Sequence, residues 1–278
     1  MDVPVRWHRW TTLITAGMVS SALLLASCTG TPASPAASGQ STPTPTVTAP
    51  ASYTINVPRT DIFAPYILVM NAGDSVTWLN GDTIPHTVVT TPTADGGVVN
   101  PTQFEFIVQP GKQENLTLRS PGLYYYYCGL HASLNAQGRA AAYPTMRPYP
   151  VAMDGFIYVH GPGLSGVSSA TVNMTSSDTF TPWITVVNRG AAVTWQNQTA
   201  QTMRVRSVPS YGLVDPVPMD FTVAPSASTT LHLTRPGVYD YYASGPAELE
   251  PQWLRPVATK GAAGYPVPME GVVVVLDS

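Results

Sequence analysis

The feature that most constrains the fold of this chain is a long internal repeat. Phe63–Trp78 aligns with Phe180–Trp195 at a shift of 117 positions, and nine of the sixteen residues are identical. Two further motifs repeat at shifts of 115 and 116, pairing Pro121–Tyr127 with Pro236–Tyr242 and Tyr149–Gly155 with Tyr265–Gly271. The shift stays nearly constant, so the repeated unit exceeds a hundred residues and is much longer than a solenoid repeat. The sequence therefore predicts two domains of one fold in tandem.

Within each copy, short runs rich in Val, Ile, Thr and Tyr alternate with turn signals. Ile67–Met70 and Ser75–Leu79, for example, flank the turn-forming sequence Asn71–Asp74. The 28 prolines and 22 glycines separate such runs, and no long stretch keeps a helical period. We therefore predict an all-β protein made of two β-sandwiches. Charged residues make up only 10% of the chain and the net charge is −3, which argues against nucleic-acid binding.

The N-terminus reads as a targeting segment. A basic start is followed by the apolar stretch Leu13–Ala26, which is too short to span a bilayer comfortably. Leu25–Cys28 resembles a bacterial lipobox, which implies a signal peptide over 1–27 and a lipid attached to Cys28. An ordinary secretory signal cleaved nearby is the alternative. Residues 28–52 are rich in Thr, Pro and Ser and predict a disordered stalk. We expect a lipid-anchored protein on the outer face of the cytoplasmic membrane.

Four side chains in the first repeat could hold a metal ion. His86 opens a strand after Pro85, Cys128 ends a tyrosine-rich strand, and His131 follows in the sequence Cys-Gly-Leu-His. Met153 precedes Asp-Gly and the last strand of the repeat. One thiolate, two imidazoles and one weak thioether are the ligand set of a blue-copper site.

Three segments around these residues resemble the cupredoxin family. They are Asn80–Val88 with the first histidine, Pro121–His131 with the Cys–His loop, and Met153–Val159 with the Met-x-Gly strand. The resemblance implies two cupredoxin-like Greek-key sandwiches, at 53–162 and 168–278. It also implies one type 1 copper ion in the first, with His86, Cys128 and His131 as equatorial ligands and Met153 as the axial one.

One departure from the family pattern leaves the axial ligand open. Small cupredoxins place the methionine a few residues after the second histidine, whereas 21 residues separate His131 from Met153 here. The intervening segment, 132–152, contains a second methionine, Met146, which is the alternative axial ligand. We expect this segment to cap the copper site or to form a surface for partner docking.

The repeat also shows what the second copy lacks. His86 aligns with Met203, Cys128 with Ala243, and His131 with Pro246, so three ligands are absent together while the Trp, Tyr, Pro and Gly framework persists. Met153 aligns with Met269, which allows a packing role for the methionine. We therefore expect the second domain to be degenerate and without copper.

A buried copper with no open coordination position favours an electron carrier over an enzyme. The expected partners are redox proteins, with membrane-bound respiratory components as candidates, and the membrane through the lipid anchor. Two alternatives remain. One is a copper storage or adhesion module without a redox role, and the other is a subunit of a copper oxidase or nitrite reductase. The enzyme would need further copper ligands, and no His-x-His sequence occurs.

Overall fold

The computed structural model describes residues 49–91, 99–208 and 218–277. The predicted signal peptide, Cys28 and the stalk as far as residue 48 lie outside these ranges. Within these ranges, all regular secondary structure is strand. These residues contain no helix that is long and apolar enough to cross a membrane. The predicted all-β class is therefore confirmed.

The N-terminal half, Ser52–His160, holds ten of the described strands. They are β1 (Ser52–Val57), β2 (Ile67–Asn71), β3 (Ser75–Asn80), β4 (His86–Thr90), β5 (Glu105–Val108), β6 (Gln113–Thr117), β7 (Gly122–Tyr127), β8 (Ala132–Leu134), β9 (Ala140–Ala142) and β10 (Asp154–His160). One sheet has the order β1-β3-β6 and the other the order β2-β10-β7-β4-β5, while β8 and β9 form a separate hairpin. Ser52, which we predicted to end the stalk, is the first residue of β1.

The C-terminal half, Val167–Val275, holds the other ten. They are β11 (Val167–Met174), β12 (Phe180–Thr181), β13 (Ile184–Asn197), β14 (Met203–Ser207), β15 (Asp220–Val223), β16 (Ser228–His232), β17 (Gly237–Ser244), β18 (Ala247–Glu250), β19 (Arg255–Ala258) and β20 (Glu270–Val275). Strand β13 pairs through its start with β20 and through its end with β11 and β16. It therefore covers the positions of both β2 and β3.

The two halves have the same strand register. Ser52 pairs with Ser75 in the first half, and Ser169 pairs with Ala192 in the second, each 117 positions later. The hairpin β8–β9 likewise has a counterpart in β18–β19. The alignment read from the sequence therefore corresponds to equal places in the structure, although the exact domain limits remain a proposal.

The strands β7 and β10 of the five-stranded sheet are buried on both faces. Tyr124 and Tyr126 of β7 pack into the core between the two sheets of their own half. Leu123 and Tyr125 point the other way and pack in a core shared with the C-terminal half, which includes Val272. This arrangement explains why β7 and β10 read as nearly continuous apolar runs, since neither face meets solvent.

Two buried ion pairs cross between the halves at equivalent places. Arg139, beside β9, donates from Nη2 to Glu270 Oε2 at 2.7 Å, and Arg255 of β19 donates from Nη2 to Asp154 Oδ1 at 2.5 Å. Each arginine thus comes from the hairpin of one half and reaches the start of the last strand of the other. Segment 132–152, expected to cap the site or to bind a partner, therefore packs in part against the C-terminal half.

The interface also buries a third acidic side chain, Asp240, the counterpart of Tyr125. Burial, together with the neighbouring Glu270 carboxylate, raises the pKa of Asp240 well above its usual value. A protonated Asp240 leaves two arginines facing two carboxylates. It also provides a neutral hydrogen-bond donor beside Glu270, as the hydroxyl of Tyr125 does for Asp154 at 2.6 Å.

Candidate metal centre

His86 is placed by a loop that a buried asparagine holds in shape. Asn80 ends β3, and its Nδ2 donates to the carbonyls of Ile84 and Val108, each at 2.9 Å. Its Oδ1 accepts the amide of Asp82 at 2.8 Å. The loop between β3 and β4 is therefore fixed, and His86 begins β4 with its side chain fully buried.

Cys128 and His131 are brought together by a tight turn at the end of β7. The amides of His131 and Ala132 both donate to the carbonyl of Cys128, at 3.0 Å each. This turn folds the histidine back over the cysteine, and both side chains are buried. The Cys-x-x-His spacing read from the sequence thus has a simple local cause.

The three predicted equatorial ligands converge on one point. Cys128 Sγ lies 3.1 Å from Nδ1 of His131 and 3.9 Å from Nδ1 of His86, and one donor atom from each residue lies within 4.8 Å of the others. Metal bonds to thiolate and imidazole are about 2.3 and about 2.0 Å long, so one ion can reach a sulfur and a nitrogen up to about 4.3 Å apart. The donor set and its spacing fit a single soft or borderline metal ion such as copper.

The protonation states of the imidazoles suit metal binding. Burial lowers the pKa of His86, and burial together with the nearby His86 lowers the pKa of His131 to about 4. Both rings are therefore neutral at pH 7. Burial raises the pKa of the Cys128 thiol, against the effect of hydrogen bonds from Thr87, so a bound cation has to displace the thiol proton.

Thr87 is a site residue that the sequence did not reveal. Its amide lies 3.3 Å and its hydroxyl 3.6 Å from Cys128 Sγ, and the hydroxyl oxygen also accepts the amide of Gly129 at 2.7 Å. Thr87 therefore ties the strand of the first histidine to the cysteine turn. Its adjacency to His86 is the only sequence signal that could have suggested it.

Two carboxylates face the outer nitrogens of the histidines and were also missed. Asp82 Oδ2 lies 3.3 Å from His86 Nε2, and Asp61 Oδ1 lies 3.7 Å from His131 Nε2. In the tautomer that leaves Nδ1 free for a metal, Nε2 carries the proton and donates it to Asp82. Burial, followed by the neighbouring Asp82, raises the pKa of Asp61 to about 6.

The two methionines occupy different surroundings. Met153 is buried in the same core cluster as Cys128, and its carbonyl accepts the Cys128 amide at 2.8 Å. Met146 is half-buried in a turn, where its main chain bonds to Tyr143 and Tyr149. Asp154 of β10 pairs with Tyr127 of β7, so Met153 and Cys128 are the next residues beyond this end of the two paired strands.

The glycine of the Met-x-Gly motif has a packing cause. A Cβ at Gly155 would lie 2.7 Å from the hydroxyl of Tyr126, and one at Gly271 would lie 2.5 Å from the hydroxyl of Tyr241. The motif therefore recurs in the C-terminal half because a buried tyrosine needs the space.

The C-terminal half keeps the frame of the site with different side chains. Met203 pairs with Val223 as His86 pairs with Val108, and the Ala243 amide donates to the Met269 carbonyl at 2.9 Å. Met203, Ala243 and Met269 all pack in the apolar core of that half. Among the described residues two other histidines occur: His160 is half-buried beside Asp277, and His232 is exposed beside the Gly190 carbonyl.

Comparison with known proteins gives one family match. Residues 52–140 match the model of copper binding proteins of the plastocyanin/azurin family. This range includes His86, Cys128 and His131 and ends before both methionines. A chloroplastic plastocyanin of Hordeum vulgare is 32% identical over 81 residues. That alignment covers 28% of this chain and 52% of the plastocyanin, so the chain spans about half the length of this curated relative.

Two solved structures are similar to part of this chain. A purple cupredoxin from Nitrosopumilus maritimus is 19% identical, with 38% of this chain and 98% of that chain covered and a TM-score of 0.27. Amicyanin from Paracoccus versutus is 19% identical, with 39% and 81% covered and a TM-score of 0.26. Residues 52–140, which carry the three converging side chains, are thus similar to copper binding proteins of the plastocyanin/azurin family.

Proposed function

We propose that the protein is an extracytoplasmic electron carrier with one type 1 copper ion in its N-terminal half. The observation that carries the proposal is the convergence of Cys128 Sγ with Nδ1 of His86 and His131 inside a cupredoxin-like sandwich. When bound, copper supplies a one-electron couple between Cu(II) and Cu(I). The mixed set of thiolate and imidazole donors serves both oxidation states.

The surroundings of the three ligands favour a rigid site. His86 and Cys128 are fully buried, and His131 is 2% exposed. The side chains of Asn80 and Thr87 fix the loop and the turn by hydrogen bonds to main-chain groups, while Asp82 orients the ring of His86. A site held in this way keeps its ligand positions when the charge of the metal changes, which suits electron transfer.

Met153 is the axial ligand that we propose. Its burial beside Cys128 and its main-chain bond to that residue support it over the half-buried Met146. The retained Met269 shows that a methionine here also fills core space, so Met153 serves both purposes in this proposal.

We also propose two domains, the second without copper, and attachment to the outer face of the membrane through a lipid on Cys28. The apolar packing of Met203 and Ala243 at the ligand positions supports the first point. The lipobox-like sequence supports the second. A redox protein is the expected partner.

Addition of Cu(II) to the full chain tests the function. We expect about one copper per chain, strong visible absorption from thiolate-to-Cu(II) charge transfer, and reversible bleaching on reduction. His86→Ala should abolish the absorption, while Met203→Ala, at the equivalent position of the C-terminal half, should retain it. Copper binding without strong visible absorption would favour storage or adhesion, and turnover with oxygen or nitrite would favour an enzyme.

A further inference from the structure

Arg255 reaches from the C-terminal half to both sides of Met153. Its Nη1 donates to the carbonyl of Ala152 at 3.1 Å, and its Nη2 donates to Asp154 Oδ1 at 2.5 Å. The guanidinium lies over the ring of Tyr66, 3.9 Å from the centroid. A planar group with several fixed donors can hold two acceptors at once, which a lysine cannot reproduce.

The segment that Arg255 holds is also fixed from its own half. Asp154 Oδ2 accepts the hydroxyl of Tyr125 at 2.6 Å, and the Met153 carbonyl accepts the amide of Cys128 at 2.8 Å. The side chains of Arg255 and Asp154 are 4% and 5% exposed, so water does not compete for these bonds. The segment around Met153 is thus held by Arg255 of the C-terminal half and by Tyr125 and Cys128 of the N-terminal half.

We propose that Arg255 is a positioning residue of the copper centre. By fixing 152–154, it sets where the Met153 thioether stands relative to Cys128 and the histidines. The half without copper ligands therefore acts on the properties of the copper in the other half. This inference rests on the proposed function and on Met153 as the axial ligand.

The chain contains its own control for this proposal. Arg139 donates to the carbonyls of Pro268 and Glu270 at 2.8 and 2.9 Å, and to Glu270 Oε2 at 2.7 Å. It therefore holds the residues around Met269 as Arg255 holds those around Met153. Met269 has no histidine or cysteine partner at the equivalent ligand positions, which are occupied by Met203, Ala243 and Pro246.

The experiment compares Arg255→Lys and Arg255→Met with Arg139→Lys and Arg139→Met in the full chain. The lysine variants keep the positive charge, so they remain informative if loss of a buried charge prevents folding of the methionine variants. Each protein is measured without copper by the ¹³C-methyl spectrum of its methionines. With copper, its visible spectrum, paramagnetic resonance spectrum and reduction potential are recorded.

We expect Arg255→Lys to shift or broaden the Met153 methyl resonance, and to change the charge-transfer spectrum and the potential. Arg139→Lys should perturb the Met269 resonance and leave the copper spectra at their original positions. The proposal is overturned if the two variants change the copper spectra equally, or if neither does. It is also overturned if the Met153 resonance of Arg255→Lys is unchanged.

The methyl readout separates this inference from the proposed function. If the unsubstituted protein shows no blue-copper absorption, the proposed function and the role of Arg255 at copper both fail. A Met153 resonance that still responds to Arg255→Lys would then show that Arg255 positions residues 152–154 without a role at copper. Failure of the positioning role alone would leave the wild-type absorption in place and the spectra of Arg255→Lys identical to it.

Discussion

The sulfur of Cys128 is the atom on which the colour of the proposed centre depends. We expect Cys128→Ser to abolish the strong visible absorption, because the hydroxyl oxygen cannot supply the thiolate-to-copper transition. The apo protein should remain folded, since Ala243 fills the equivalent position in the other half. Visible spectra and thermal unfolding of the metal-free variant test the two statements. A variant that fails to fold without copper would contradict the second.

Asp82 is expected to set the reduction potential through the ring of His86. Its carboxylate lies 3.3 Å from Nε2, where negative charge stabilises Cu(II) over Cu(I). Asp82→Asn should therefore raise the potential, as measured by redox titration of the visible band. Asp220→Asn removes the same charge on β15 of the other half, beside Arg204, and serves as the control. An equal shift in both variants would point to net charge alone.

The residues that shape the site differ in how far the sequence could predict them. His86, Cys128 and His131 follow from residue type, spacing and the comparison of the repeats. Thr87 and Asp82 act through contacts that depend on the loop conformation. Asp61 and Arg255 reach the site from distant parts of the chain, where no local pattern identifies them. Their partners become apparent only when the strands are assembled.

At the scale of elements, the hairpin β8–β9 changes the interpretation of the long segment after His131. Residues 132–152 were expected to cap the copper or to bind a partner. Ala132, Ala140 and Ala142 pack in the core shared by the halves, and Arg139 pairs with Glu270. Since β18–β19 repeats this arrangement without copper ligands, the hairpin serves contact between the halves. Capping of the copper site by the segment and docking of an external partner on it both stay predictions.

The strands were easier to predict than the contacts between the halves. Alternation in Ser75–Asn80 reflects one buried face, because Val76 and Trp78 are buried and Leu79 is exposed. In Gly122–Tyr127 the alternation is absent because both faces are covered. Such a run predicts burial of both faces, but it does not identify which part of the chain covers them. The hairpins were missed because their alanines carry little strand signal.

The interface between these elements should show an unusual pH dependence. The raised pKa of Asp240 means that the folded state holds this proton more tightly than the unfolded chain. Its contribution to the free energy of unfolding is therefore complete below about pH 4 and is lost as the pH rises through the folded-state pKa.

Asp240→Asn removes this titration while keeping the shape of the protonated acid. The free energy of unfolding of the variant, relative to the unsubstituted protein, should increase with pH above about 4. Each unit of pKa separation corresponds to about 1.4 kcal/mol. Denaturant unfolding of both proteins over a pH series measures the difference. A difference that does not vary with pH would mean that Asp240 is ionised in the folded state.

At the scale of the whole molecule, the halves share a core and are expected to depend on each other. Residues 49–163 alone would expose Leu123, Tyr125, Phe156 and Tyr158, which are buried in the complete chain. An apolar face of this kind favours association. We therefore expect this fragment to self-associate or to unfold at a lower temperature than the complete chain. Size-exclusion chromatography and calorimetry test this, and a stable monomer would contradict it.

The near two-fold arrangement of Arg139 with Glu270 and Arg255 with Asp154 has a consequence for how the two copies can diverge. In a homodimer of a single-copy chain, any substitution at a ligand position would appear in both subunits. Covalent linkage removes that restriction, so one copy can hold a histidine where the other holds a methionine. Arg139 and Arg255 keep their contacts because they lie outside the three ligand positions that differ. The duplicated chain can thus lose one metal centre and still keep the surface that contacts the half with the other metal centre.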